Sequence, residues 1–387
     1  MDDKSLNLSN SFSKDVICIS HLRWDFVYQR PQHLLSRFSE NGRVFYIEEP
    51  IFIDDQTHLN ITESDNNIFL VVPNISREDE HESVILQREM LDTLISSEKI
   101  EDYILWLYTP MAMDFADHLK PDLTVFDCMD ELSAFRFAPP EMIENERRLM
   151  EKADLVFTGG ESLFEAKKDR HEAIYSFPSS IDKEHFSKAR EIKNEPAEQV
   201  EIKSPKLGYC GVIDERMDTH LIVEMADLRP DWQFVMIGPV VKISEDELPK
   251  RSNIHYLGGK DYEDLPAYLS GWDIALMPFA LNESTKYISP TKTPEYLAAG
   301  LHVISTPIRD VVKPYGENGL VEIAETSEDF VKATDKILER GNSDKWLNQV
   351  DEFLEDVSWD KTWAGMVNLI EEKLEEKNKK TKAAKVV

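Results

Sequence analysis

The chain has 387 residues, 41% of them hydrophobic, and a formal net charge of −30. That length suits two domains of ordinary size with substantial cores, and the negative charge repels phosphates, which excludes broad nucleic acid binding. The three cysteines, Cys18, Cys128 and Cys210, form no Cys-x-x-Cys pair; an odd count argues against a disulfide framework and reads as buried thiols in a reducing compartment.

The start, MDDKSLNLSNSFSK (1–14), is polar and has no apolar centre, so no secretory signal is visible. No apolar run along the chain approaches the ~18 residues of a membrane span. A cytoplasmic location is expected. Short apolar, β-branched runs then predict strands at 16–20, 44–47, 68–72, 103–108, 123–127, 155–158 and 173–177. Helical stretches fall between them at 32–39, 84–97, 141–152 and 162–168. The polar segment 189–205, with two prolines, reads as an interdomain linker. The alternation restarts with strands at 207–210, 233–237, 254–257, 274–277, 303–305 and 320–323, and helices at 220–228, 262–269, 294–299 and 328–339. A last helix is predicted from 359 to about 377, with Trp363, Met366, Val367 and Ile370 on one face. It packs either across the domain junction or as a plain core helix. The lysines of 373–385 read as a solvated helix end or as a weak contact with an anionic membrane surface. The expected fold is α/β, with two Rossmann-like, doubly wound parallel sheets facing across a cleft. Residues 1–188 form the first domain, 189–205 the linker, 206–357 the second domain, and 358–387 the closing helix and tail.

Ligands of such sheets bind outside the carboxyl ends of the strands. At one such end lies 282–300, NESTKYISPTKTPEYLAAG. Thr293-Pro294 reads as an N-cap followed by proline at the first helical position, and Gly300 as the left-handed stop. A helix start at this place suits an anion, with Ser289 and Thr291 as hydroxyl donors and Lys292 and Lys286 as cations. Glu295 can accept from the vicinal hydroxyls of a ribose. The structural alternative is a capped helix with a solvated lysine. In 207–216, LGYCGVIDER, Gly211 lets the backbone approach a ligand, and Arg216 can grip a phosphate with two parallel hydrogen bonds. Gly238 ends another strand at the same face.

In the first half, HLRWDFVYQRPQH (21–33) is dense in aromatics and cations. Trp24 and Tyr28 can stack on an acceptor, and Arg23, Arg30 and Gln32 can donate to it or to a diphosphate. The strand at 123–127 runs into FDCMDE, and Asp130, just beyond the strand, is the candidate general base. No Gly-x-Gly-x-x-Gly, Walker or Gly-x-Ser-x-Gly motif is present, and the ten histidines show no metal-ligand pairing.

The two-unit layout, SPTKTPEYLAAG (289–300), the closing SWDKTW (358–363) and SHLRWDFVYQRPQHLL (20–35) together resemble GT-B glycosyltransferases. Within them the likeness is to family 1/family 4-like bacterial enzymes of cell-surface polysaccharide assembly, including teichuronic acid biosynthesis glycosyltransferases. The resemblance implies a nucleoside-diphosphate-sugar co-substrate, UDP-linked, in the second domain. It places Glu295 on the ribose and Arg216 and Lys292 on the diphosphate. It further implies no cofactor or metal, and a glycan or lipid-linked acceptor. One departure stands out. Many family 4 members carry two glutamates eight positions apart, and Tyr287 occupies the first of these positions here. A sugar-nucleotide 2-epimerase of the same fold, or a binding protein without catalysis, are the alternatives.

Overall fold

The computed structural model of the protein describes residues 12–384, apart from 65 and 342. The polar start at 1–11 and Lys385 of the basic tail lie outside the described residues. The first lobe holds β1 (Asp15–Ile19), β2 (Val44–Ile47), β3 (Ile51–Ile53), β4 (His58–Glu63), β5 (Ile68–Ser76), β6 (Tyr103–Leu107), β7 (Leu123–Cys128), β8 (Leu155–Thr158) and β9 (Ile174–Ser176). They form one sheet in the order β3-β5-β2-β1-β6-β7-β8-β9, and β4 pairs antiparallel with β5. Every other pair in this sheet is parallel.

Strand periodicity explains why the sheet is covered on both faces. Val16 and Cys18 join one buried cluster, while Ile17 and Ile19 join another on the opposite face. The hairpin made by β4 was not expected, nor was β3. The strand predicted at 68–72 extends to Ser76 because β4 pairs along it from Phe69 to Asn74 and β3 from Asn74 to Ser76.

The second lobe holds β10 (Lys206–Cys210), β11 (Gln233–Ile237), β12 (Ile254–Gly258), β13 (Ile274–Met277), β14 (His302–Ser305) and β15 (Val321–Ile323). All are parallel, in the order β12-β11-β10-β13-β14-β15. Chain order reverses between β10 and β13, as it does between β1 and β6 in the first lobe. A crevice opens at such switch points, outside the carboxyl ends of the strands.

The segment 189–205 joins the lobes but does not hang free. Arg190 donates to Asp351 through two bonds of 2.9 Å and to the Ala298 carbonyl at 2.7 Å. A short helix, Ala197–Val200, follows, and the buried Gln199 bonds the Tyr268 carbonyl and the Trp272 indole. The polar composition that suggested a linker thus also satisfies buried polar groups of the second lobe.

The last helix, Trp359–Ala384, crosses back to the first lobe. Trp359, Met366, Val367 and Ile370 share a buried cluster with Leu34, Phe38 and Trp106. The Trp359 and His33 rings stack at 4.6 Å. Of the late lysines, Lys377 bonds Asp154 at 2.8 Å, and Lys373 and Lys379 face Glu376 and Glu375. Among the described residues, no helix is long and apolar enough to cross a membrane.

Candidate active site

The carboxyl ends of the two sheets face each other across a groove. It contains adjoining cavities of about 380 Å³ and about 160 Å³. Val27, Tyr28, Gly211, Val212 and Lys292 line both, so Lys292 sits where the two meet. On the second-lobe side the larger cavity is walled by Ile237, Gly238, Pro239, Leu265 and the loop from Gly259 to Tyr262. The smaller one is walled by Asp130 from the first lobe and by Tyr209, Arg216, Ser289 and Thr291 from the second.

The floor between the cavities is backbone. Gly238 has φ +144°, and a Cβ there would lie 1.8 Å from the Gly211 carbonyl oxygen. The two strand ends therefore approach this closely only because position 238 carries no side chain. The helix beside them starts two residues earlier than expected. It spans Lys292–Ala298, and Thr291, with φ −58° and ψ −26°, precedes it without a side-chain cap. Thr293 is thus not the N-cap. It is buried within the helix, and its hydroxyl meets the Met277 sulfur at 3.3 Å. Lys292 becomes the first helical residue, and its ammonium donates to Glu295 at 2.7 Å. Burial opposes the charge on Lys292, but Glu295 and Cys210 more than offset it and raise its pKa. A mostly buried, fully cationic ammonium in a cleft marks a site for a negative ligand.

Arg216 is fixed by Asp214, which accepts from its Nε at 3.0 Å and from its Nη2 at 2.7 Å. Asp214 is itself buried. Asp130 lies across the smaller cavity on the loop after β7. Burial raises its carboxyl pKa, Arg216 pulls it down and Asp214 pushes it up, with a net rise. A half-buried carboxylate whose affinity for a proton is increased suits general-base work.

Of the residues singled out within 21–33, Trp24, Tyr28 and Gln32 line the larger cavity, and Phe26 joins them. The Tyr28 ring lies 4.6 Å from that of Tyr262 in the other lobe. The Gln32 side chain is engaged within its own loop: its Nε2 donates to the Trp24 carbonyl at 2.6 Å and its Oε1 accepts from Gln29 N at 3.0 Å. Arg23 lies outside both cavities and pairs with Glu48 at 2.8 Å. Arg30 touches the smaller cavity, but its guanidinium is taken up by Asp127 and by the Phe177 carbonyl. Asp127 is completely buried. Removing the cation would leave an uncompensated buried charge. Arg30→Met is therefore expected to lose about 3–5 kcal/mol of folding stability, read from the urea midpoint. An unchanged midpoint would show that Asp127 does not depend on Arg30.

Three comparisons bear on this groove. Residues 204–340 match the family model of glycosyl transferases group 1. A Bacillus subtilis protein provisionally named teichuronic acid biosynthesis glycosyltransferase TuaH is 26% identical over 271 residues, covering 64% of this chain and 67% of its own. Sucrose-phosphate synthase from Thermosynechococcus elongatus superposes with a TM-score of 0.69 at 13% identity, over 93% of this chain and 98% of that one. An E. coli trehalose-6-phosphate structure bound with UDP-2-fluoro glucose gives a TM-score of 0.66 at 12% identity, over 93% and 99%. Residues 204–340 form a group 1 glycosyltransferase domain, and the chain as a whole has the GT-B fold.

Two further residues singled out in the sequence line neither cavity. Lys286 is exposed and pairs with Glu283 at 3.5 Å. Glu295 is buried behind Lys292 as its counter-charge. Tyr287, in place of a family glutamate, packs against the apolar core of the first lobe. The fold also brings residues to the groove that sequence reasoning passed over, chiefly Gly259, Lys260, Asp261 and Tyr262. The signal was present: β12 ends in Gly258-Gly259, a strand running into glycine at the same sheet edge as Gly211 and Gly238.

Proposed function

We propose that this enzyme moves a sugar from a nucleoside-diphosphate sugar, UDP-linked, to a hydroxyl of a glycan or lipid-linked acceptor in cell-surface polysaccharide synthesis. The observation that carries the reading is Lys292, a mostly buried cation at the meeting point of two cavities that together suit a ligand of nucleotide-sugar size. UDP-2-fluoro glucose in the E. coli structure supports the donor class, and the Bacillus name supports the setting. In this reading the nucleoside occupies the larger cavity, against Tyr262 and the backbone of Gly238 and Gly259. The diphosphate lies at Lys292 and Arg216, with the Ser289 and Thr291 hydroxyls beside it. These cations meet its charge without a bound metal. The transferred sugar and the acceptor occupy the smaller cavity, and Trp24 and Tyr28 border the acceptor's approach. The enzyme works in the cytoplasm, where the lysine-rich end of its last helix offers weak attachment to an anionic membrane carrying a lipid-linked acceptor.

In an inverting transfer, Asp130 takes the proton from the acceptor hydroxyl as its oxygen bonds the anomeric carbon. The bond from that carbon to the diphosphate oxygen breaks, and the electron pair leaves with UDP. Lys292 and Arg216 stabilise the charge that grows there. A thermal-shift panel of nucleotide sugars tests the donor. A ligand at one hundred times its Kd adds about 2.7 kcal/mol to the folded state, so UDP-linked sugars should raise the melting temperature. No shift with any nucleotide would overturn the reading. Consumption of the donor without any acceptor would point instead to epimerisation.

A further inference from the structure

The loop that follows β7 reaches across the groove. Its root is held by Glu131, which pairs with the buried Lys167 at 2.7 Å and accepts from the Ser133 hydroxyl at 2.6 Å. Lys167 is anchored in turn by Glu146 at 2.8 Å. A single turn, Leu132–Ala134, then presents Phe135, whose amide closes on the Leu132 carbonyl at 3.2 Å. The Phe135 ring meets two cations of the opposite lobe. The Arg216 guanidinium carbon lies 5.4 Å from the ring centroid, and the Lys242 ammonium 4.6 Å. Lys242 is also 3.6 Å from Glu215. Arg216 commits Nε and Nη2 to Asp214, while Nη1 makes no hydrogen bond among the described residues.

We propose that Phe135 is a positioning residue for Arg216, its ring from the acceptor lobe fixing the cation that grips the diphosphate in the donor lobe. The inference rests on the donor reading given above. Asp214 holds the edge of the guanidinium and Phe135 supports its face. The grip on the donor is therefore complete only when the lobes meet, which links donor binding to assembly of the acceptor side. A cation over an aromatic face at a partly exposed site contributes modestly, so the effect sought is small and needs a cycle to isolate it.

The test is calorimetric titration of UDP into the wild-type enzyme, Phe135→Leu, Phe135→Tyr, Arg216→Ala and the Phe135→Leu/Arg216→Ala double variant. Phe135→Leu is expected to weaken UDP binding about two- to fivefold. Phe135→Tyr, which keeps the ring face, should stay close to wild type. In the Arg216→Ala background, Phe135→Leu should have no further effect. If Phe135→Leu costs as much in that background as alone, or costs nothing while the protein melts normally, the positioning role is wrong and the donor reading stands. If Arg216→Ala itself leaves UDP affinity unchanged, the donor reading and this inference fall together.

Discussion

Replacing Lys292 with alanine is expected to lower turnover by about 10²-fold or more, because a preorganised cation at developing charge is worth roughly 2.7–4 kcal/mol of barrier. The group is itself mostly buried, where charge is weakly screened. The same substitution strands Glu295, which is buried and has Lys292 as its salt-bridge partner. Loss of folding stability is therefore expected alongside loss of turnover. The two effects can be separated. Lys292→Ala combined with Glu295→Gln should recover much of the melting temperature but none of the turnover. If the double variant regains turnover, Lys292 serves Glu295 and not the reaction.

Asp130→Asn should cut turnover by about 10²–10⁴-fold, the usual contribution of a general base, with UDP affinity little changed. Its pH dependence carries a sign that can be worked out. Burial raises the carboxyl pKa above the ordinary aspartate range. The acid form therefore persists to higher pH, and the acid limb of the turnover profile should lie above that range. Asparagine should abolish the limb. Stability responds in the opposite sense. A group with a raised folded-state pKa holds its proton after the unfolded chain has lost it, so its contribution to stability falls as pH climbs through that interval. Asp130→Asn should then be neutral or stabilising near pH 7. A turnover profile in the variant that keeps its acid limb would assign the proton to another group.

Much of the architecture is legible in the chain because buried parallel strands read as uninterrupted β-branched runs. β1, DVICI, and β13, IALM, are buried along nearly their whole length. β4, HLNITE, is exposed at all positions but one and carries no such run. It exists through pairing with β5, which no local pattern announces. The site divides in the same way. Arg216 stood out because it follows a strand that runs into glycine, and Lys292 because it stands at a helix start. The role of Arg30 was hidden because its partner Asp127 lies 97 residues away. A cation among aromatics looks like a ligand donor until the opposing charge is located. Glu295 was read only as a ribose acceptor, yet its three-residue spacing from Lys292 on one helix already permitted the ion pair that the structure shows. Phe135, in a loop of mixed composition, acquires meaning only from the two cations that the other lobe brings against it.

Every role proposed for the groove depends on a pyrophosphate binding at Lys292 between the lobes. A crystal structure with UDP bound measures this directly. A phosphate oxygen is expected at charge-assisted hydrogen-bond distance, about 2.7–2.9 Å, from the Lys292 ammonium, with the uridine in the cavity walled by Gly238, Gly259 and Tyr262. UDP bound elsewhere, or a groove left empty at saturating UDP, would contradict it.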